Sequence, residues 1–277
     1  MDVPPSPIAY YPEPISFLMK VLFIGDIMGE PGRRAITRTL PRVIAQQGVD
    51  VVIGNGENAA GGFGITPDIA MELFELGLAV ITLGNHAWDK KETVEFIKRE
   101  PRLLRPANYP DGVPGSGSLV VETPAGERLA VLQIMGRTFM PTLDCPFQAA
   151  RREVERLKAQ TRAIIVDMHA EATSEKMAMG HFLDGDVTAV VGTHTHVQTA
   201  DEQILPKGTA YLTDIGMTGP VHSVIGIRKE LAIQKFLTGM PVRFEVAPGP
   251  ALLSAVLIEL DGSLGKAISI NRLRLPE

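Results

Sequence analysis

Short apolar runs that stop at glycine and meet metal-ligand residue types at once recur along this chain, and they constrain its fold more than any other feature. The run Val187-Thr188-Ala189-Val190-Val191 is β-branched and ends at Gly192, so it reads as a buried strand. Thr193-His194-Thr195-His196 follow immediately. In extended backbone, residues i and i+2 face the same side, so both imidazoles can converge on one centre or on two adjacent ones. That is metal-ligand spacing. A His-x-His taken alone is equally an ordinary polar loop, and the rest of the chain decides between the two.

Four more runs read the same way. The strand expected over residues 21–24 ends in Gly25-Asp26, that over 49–53 in Gly54-Asn55-Gly56-Glu57-Asn58, and that over 79–83 in Gly84-Asn85-His86. A strand over 163–166 ends in Asp167-Met168-His169-Ala170-Glu171. Asp26 could be a helix cap, Asn58 and Asn85 turn formers, and His169 a hydrogen-bonded core histidine. Five such coincidences at equivalent places outweigh those separate explanations, because ligands of α/β sheets bind at the carboxyl ends of strands.

The segments between the strands read as helices over 33–47, 92–100, 147–160, 174–183 and 229–237, with Pro41 expected to bend or split the first. Thr66-Pro67 is a cap followed by a first-turn proline, starting a helix that stops at Gly77. Residues 118–122 and 128–134 read as a hairpin, and 209–213, 252–260 and 267–275 as further strands. Alternating strands and helices make the chain an α/β protein.

At 277 residues and 45% hydrophobic content it can bury one large core. The net charge of -5 argues against stable nucleic-acid binding, which needs a basic stripe. The single cysteine, Cys145, excludes an internal disulfide framework and a thiolate zinc cluster. No run approaches the roughly 20 apolar residues of a membrane span, so no membrane association is expected and the cytoplasm is the expected compartment. Residues 1–18 are rich in proline, without a basic region or a long apolar stretch, and are expected to be a disordered extension rather than a secretory signal. Met19 stands directly before the first strand, which places the domain at 19–277.

With Gly25-Asp26, Gly56-Glu57-Asn58, Gly84-Asn85-His86, His169 and Gly192-Thr193-His194-Thr195-His196 in hand, the chain resembles the calcineurin-like metallophosphoesterases. More closely it is similar to their bacterial YmdB-like branch of cyclic-nucleotide phosphodiesterases, from Met19 to the C-terminus. Three departures from the broad family are shared with that branch: Met28 for the first-motif histidine, Glu57-Asn58 for the bridging aspartate motif, and Ala87 after His86. The resemblance implies a four-layer α-β-β-α sandwich of two mixed sheets flanked by helices. It implies that Glu57 bridges two metals, that Asp26, Asn58 and His196 complete one coordination sphere, and that Asn85, His169 and His194 complete the other. Such oxygen and imidazole ligands suit iron, manganese or zinc without deciding among them, and iron is the first expectation. The resemblance also implies a homo-oligomer.

Asparagine and neutral histidine bring no charge, so two divalent ions offset only by Asp26, Glu57 and a bridging hydroxide leave a positive centre. That centre would bind an anionic phosphodiester, 2',3'-cyclic nucleotides by resemblance, with the hydroxide as nucleophile. His86 is the one histidine of the matched motifs without a metal, and is expected to act catalytically by protonating the leaving oxygen. Gly61-Gly62-Phe63-Gly64 lacks the lysine of a P-loop and reads as backbone making room. His181, Met177 and Met179 read as structural and Cys145 as inert; His222 reads first as structural and is the better outside candidate for substrate contact, and Arg137 could bring a cation to phosphate but serves a surface salt bridge at least as well. The competing function is a metal-stabilised regulatory or scaffold protein with little or no turnover.

Overall fold

Side chains alternate across a strand, and in this chain both sets are apolar, so each central strand is covered on two faces. The computed structural model describes residues 18–277. Strand β1 (Leu18–Ile24) and the two-residue β2 (Asp26–Ile27) lead to α1 (Gly29–Gln47), β3 (Val51–Asn55), α2 (Pro67–Glu75), β4 (Val80–Thr82), α3 (Lys91–Phe96) and β5 (Leu103–Leu104). A hairpin of β6 (Ser118–Glu122) and β7 (Arg128–Met135) is followed by α4 (Pro146–Lys158), β8 (Ile164–His169), α5 (Thr173–Phe182), β9 (Ala189–Thr193), β10 (Gln203–Ile204) and β11 (Ala210–Leu212). Then come β12 (Met217–Pro220), α6 (Lys229–Thr238), β13 (Ala251–Asp261) and β14 (Lys266–Pro276).

These strands make two mixed sheets. One has the order β2-β12-β13-β1-β3-β4-β5, with β14 added on β13; the other has the order β10-β11-β9-β8-β7-β6. Strand β13 pairs antiparallel with β1, Met19 opposite Leu260, so the late strands complete the first sheet instead of forming a separate unit. Met19, Val21 and Phe23 of β1 share one buried cluster with Val131 of β7, Ile165 of β8 and Val191 of β9, which is the layer between the sheets. The alternate residues Leu22 and Ile24 face α1 and α2 through Ile36, Leu40 and Leu73. On the second sheet the alternate residues Leu132, Val166 and Val190 face α4 and α5 through Ala150, Val154 and Met179.

The expected elements are present, with differences at their ends. Helix α2 starts as read, with Thr66 accepting from the Ile69 N–H and Pro67 at its first position. Helix α1 runs through Pro41 as one element, so the expected split does not occur. Strand β1 already includes Leu18, paired with Asp261, three residues before the expected strand and one before the expected start of the domain; the rest of the proposed extension lies outside the described residues. None of the described helices is long and apolar enough to cross a membrane.

The layer between the sheets changes character at the carboxyl ends of the strands. In the inward register, Val80 is followed by Thr82, Ile165 by Asp167 and His169, Val191 by Thr193, Ile53 by Asn55 and Leu212 by Asp214. All six polar residues of that continuation are fully buried. A buried polar group costs free energy unless it is paired, so this end of the layer must be a hydrogen-bonded network or a ligand site.

Candidate metal centre

Three imidazoles meet the buried carboxylates there. His169 ends β8, while His194 and His196 follow β9 in left-handed backbone, at φ 101° and 64°. Such conformations cost a non-glycine residue about 1–3 kcal/mol and persist only when surroundings hold them. The holding contacts are specific. The His194 N–H donates to Asp26 Oδ2 at 3.1 Å, and the Thr195 N–H to Asp214 Oδ2 at 3.1 Å. Asp214 is itself paired with the buried Lys176 at 2.5 Å, whose Nζ also donates to the Thr193 carbonyl at 2.7 Å. Gly84 clears the space for His169, since a Cβ there would lie 2.2 Å from the imidazole.

Each ring has its outer nitrogen engaged. Thr193 Oγ1 spends its proton on Asp167 Oδ1 at 2.7 Å, so His169 Nδ1, 2.8 Å away, is the donor to that hydroxyl. His194 Nε2 faces Glu171 Oε2 at 3.2 Å, and His196 Nδ1 donates to the Ile225 carbonyl at 2.8 Å. The lone pairs on the inner nitrogens are thereby turned toward the cavity floor, the arrangement by which second partners orient metal-binding histidines.

The inner atoms fall into two sets. Around His169 Nε2 lie Asn85 Oδ1 at 3.0 Å, His194 Nδ1 at 3.1 Å and Glu57 Oε1 at 3.1 Å. One N–H cannot serve three acceptors. Around His196 Nε2 lie Asn58 Oδ1 at 3.2 Å and Asp26 Oδ1 at 3.8 Å. Asp26 Oδ1 is buried without a hydrogen-bond partner, and the Asn58 amide is turned by its Nδ2, which donates to the Gly62 carbonyl at 2.9 Å. Ligand bonds of about 2.1 Å place neighbouring donor atoms about 3 Å apart, so both sets have the spacing of a coordination shell. The residues fit a metal. Glu57, His169 and His194 form the one group of three acidic, histidine or cysteine side chains that meets this closeness among the described residues; the second set draws on an asparagine amide.

Electrostatics point the same way. Burial works against a charge on His169, but the charge and hydrogen bond of Glu57 outweigh it and raise the imidazole to about 9. Burial likewise opposes ionisation of Glu57, yet His169, with His86 behind it, brings that carboxyl down to about 2. Burial and the neighbouring His169 lower His194 to about 3. Asp26 is raised, chiefly by burial. The pocket therefore gathers a cation at one point, which a divalent ion can supply in place of a proton.

His86 stands apart from the inner nitrogens. Its backbone N–H donates to Glu57 Oε2 at 3.0 Å, its Nδ1 bonds to Asp89 Oδ2 at 2.7 Å, and its ring lies edge-on to Phe63 with centroids 5.2 Å apart. With Nδ1 engaged, Nε2 is the nitrogen left for the cavity. That cavity, of about 300 Å³, is lined by Glu57, Asn58, His86, Glu171, His194 and His196, with Met28, Phe63, Ile225, Ile227 and Phe244 around them. All eight residues singled out in the sequence thus converge here, Asp26, Asn85 and His169 lying beneath the lining. His181, His222 and Arg137 do not line it. Sequence reasoning missed Glu171, Asp89, Lys176 and Asp214. Glu171 alone carried a signal, standing two residues past His169 in the same strand-end segment.

Residues 22–273 match the model of a family described as YmdB-like protein. The 2',3'-cyclic-nucleotide 2'-phosphodiesterase of Bacillus subtilis (strain 168) is 49% identical over 255 residues, covering 92% of this chain and 96% of that one. A hypothetical protein from Thermus thermophilus, known from its crystal structure, superposes with a TM-score of 0.88 at 47% identity, over 94% of this chain and 100% of that one. The crystal structure of a novel phosphatase from Mycoplasma pneumoniae superposes with a TM-score of 0.88 at 36% identity, over 95% of each chain.

Proposed function

The chain belongs to the YmdB-like protein family, and we propose that it is a metal-dependent phosphodiesterase hydrolysing 2',3'-cyclic nucleotides on a four-layer α-β-β-α sandwich. The single observation that carries this reading is the convergence of Asp26, Glu57, Asn58, Asn85, His169, His194 and His196 from the ends of five strands, inner lone pairs facing one another. Asp26, Asn58 and His196 would hold one ion and Asn85, His169 and His194 the other, with Glu57 between them. Iron is the first choice, with manganese or zinc as alternatives.

When bound, two divalent ions supply Lewis acidity toward the phosphoryl oxygens and a water acidic enough to attack at neutral pH. The protein does the rest. The apolar layer beneath the ligands keeps the carboxylates of Asp26 and Glu57 out of water, which strengthens their hold on cations. Asp167 and Thr193 fix the tautomer of His169, Glu171 that of His194, and the Ile225 carbonyl that of His196. As water attacks phosphorus, the bond to one ribose oxygen breaks. His86 gives its Nε2 proton to that oxygen, and Asp89 on Nδ1 holds the ring in place and offsets its charge before transfer. The products are one nucleoside monophosphate and no covalent enzyme species. The cytoplasmic location and homo-oligomer expected from sequence belong to this reading, and sedimentation tests the second.

Hydrolysis of bis(p-nitrophenyl) phosphate before chelation, after it and after metal restoration tests the function. Activity lost and regained is the expected result. A folded, metal-loaded and inert protein would instead favour the regulatory or scaffold role.

A further inference from the structure

The catalytic cavity has a composition that the chemistry at its floor does not require. Beyond the ligands, its lining includes five apolar side chains, Met28, Phe63, Ile225, Ile227 and Phe244, beside His86 and Glu171, and no lysine or arginine is among the described residues that line it. Phe63 is 36% exposed and Ile225 53% exposed, although neither strand nor helix contains them. Exposed apolar groups beside a site of fixed charge mark where the apolar part of a ligand rests.

Local backbone conformation brings both side chains there, and for Ile225 at a cost. Phe63 stands on the Gly61–Gly64 loop, whose glycines take φ 70°, 98° and 72° around it, and it meets the edge of His86. Ile225 has φ 48°, a backbone that a β-branched residue adopts only under constraint. The constraint is built in. Ser223 Oγ donates to the Pro220 carbonyl at 2.7 Å and accepts from the Gly226 N–H at 2.9 Å, and Val224 pairs with Ile227 across the turn. The same turn that aims the Ile225 carbonyl at His196 also leaves its side chain exposed in the cavity. Phe63 beside His86 and Ile225 beside His196 thus both line the same cavity.

Glu171 adds a sign. It lines the cavity with a half-exposed carboxylate, 3.2 Å from His194 Nε2. One phosphate can be held at the floor, but a second would find no cationic side chain in the lining and would meet this carboxylate.

We infer that the cavity takes a nucleoside cyclic phosphate carrying a single phosphate, with its base against Phe63 and Ile225, and discriminates against nucleotides bearing a second phosphate. This rests on the phosphodiesterase reading above and names the part of the substrate that this reading leaves open. The volume of about 300 Å³ agrees, standing at the lower end of small-molecule sites and suiting one mononucleotide.

The test is steady-state kinetics of the metal-loaded full chain on three probes: adenosine 2',3'-cyclic monophosphate, base-free ribose 2',3'-cyclic phosphate, and the adenosine compound with an added 5'-phosphate. Stacking of one base is worth about tenfold or more, so kcat/KM should be that much higher for the adenosine probe than for the base-free one. Phe63→Ala should collapse this ratio through KM, and should weaken equilibrium binding of adenosine 3'-monophosphate far more than that of ribose 3-phosphate. The 5'-phosphate should lower kcat/KM about tenfold or more in the wild type. Equal turnover of the base-bearing and base-free probes would overturn the base subsite. So would an equal loss on both in Phe63→Ala, because Phe63 would then only support His86. Undiminished turnover of the doubly phosphorylated probe would overturn the single-phosphate rule. Hydrolysis of none of the three, or of bis(p-nitrophenyl) phosphate, would remove the phosphodiesterase reading and this inference with it.

Discussion

Replacing Lys176 with methionine should loosen the His194–His196 turn without touching any proposed ligand. Lys176 is 1% exposed and its partner Asp214 is fully buried. Lys176 Nζ donates to Asp214 Oδ2 and to the Thr193 carbonyl, while Asp214 accepts from the N–H groups of Thr195 and Gly216. Methionine fills the same volume but leaves the Asp214 charge and the Thr193 carbonyl without their cation. Breaking one side of a buried ion pair costs about 3–5 kcal/mol. Two left-handed histidines hold about 2–6 kcal/mol of strain between them, which is the same scale, so the pair is large enough to decide whether the turn keeps its shape. In the metal-free protein, where binding cannot mask the loss, the thermal midpoint should fall by about 10 °C. Affinity for manganese or zinc, titrated separately, should drop about 10- to 100-fold, as when groups supporting metal ligands are removed. In the Lys176→Met, Asp214→Asn double variant no buried charge is left alone, so the combined loss should be less than the sum of the two by about 1–3 kcal/mol. Additive losses, or a Lys176→Met variant with wild-type midpoint and metal affinity, would refute the bracing role.

Three further outcomes follow from the site. Glu57→Gln should lower the metal found by elemental analysis from the proposed two ions per chain, because both proposed ions share Glu57; a metal-free wild type with full activity would refute the mechanism. His86→Ala should keep its metals but lose about 10²- to 10⁴-fold in rate on a cyclic nucleotide and less on a p-nitrophenyl ester, whose leaving group needs little protonation. An equal loss on both, or metal lost in step with activity, would place His86 in the metal shell. Gly84→Ala would put a Cβ 2.2 Å from the His169 ring, so the ring must move; a stability loss of about 1–3 kcal/mol and reduced metal affinity are expected, and unchanged metal binding would show that the ring has room.

What was legible in the sequence was local. Thr66-Pro67 set the start of α2 because a cap and a first-turn proline act within one turn, and the hairpin of β6 and β7 showed through its Thr123–Glu127 turn segment. The candidate ligands showed because each lies at or just past the end of an apolar run. The short strands β2 and β12 did not, since Asp26 and Met217 pair only after the chain has returned across nearly two hundred residues. Lys176 and Asp214 were hidden for the same reason: a lysine in a helix reads as solvated, and only the arrival of Asp214 beyond β11 makes its burial tolerable.

One rule nevertheless joins the core to the site. Val80 and Thr82, Ile165 and Asp167, Val191 and Thr193, and Leu212 and Asp214 are each two residues apart, so the period that puts the first of each pair between the sheets obliges the second to follow. Shifting any of these strands by one residue would turn its apolar residues outward and withdraw its polar end from the site together. Register is therefore held by the burial of the whole inner layer, and the site inherits that rigidity at no separate cost. Where the strands stop, this control stops as well, and the chain then depends on positive φ at His194, His196 and Ile225, held by hydrogen bonds from the His194 N–H to Asp26, from the His196 ring to the Ile225 carbonyl and within the Ser223–Gly226 turn. The proposed metal ligands lie on both sides of that border: Asp26 and His169 in strands, His194 and His196 in strained turns. Substitutions in the apolar layer should then damage fold and metal binding in proportion, while substitutions in the turn supports should lower metal affinity more than they lower stability.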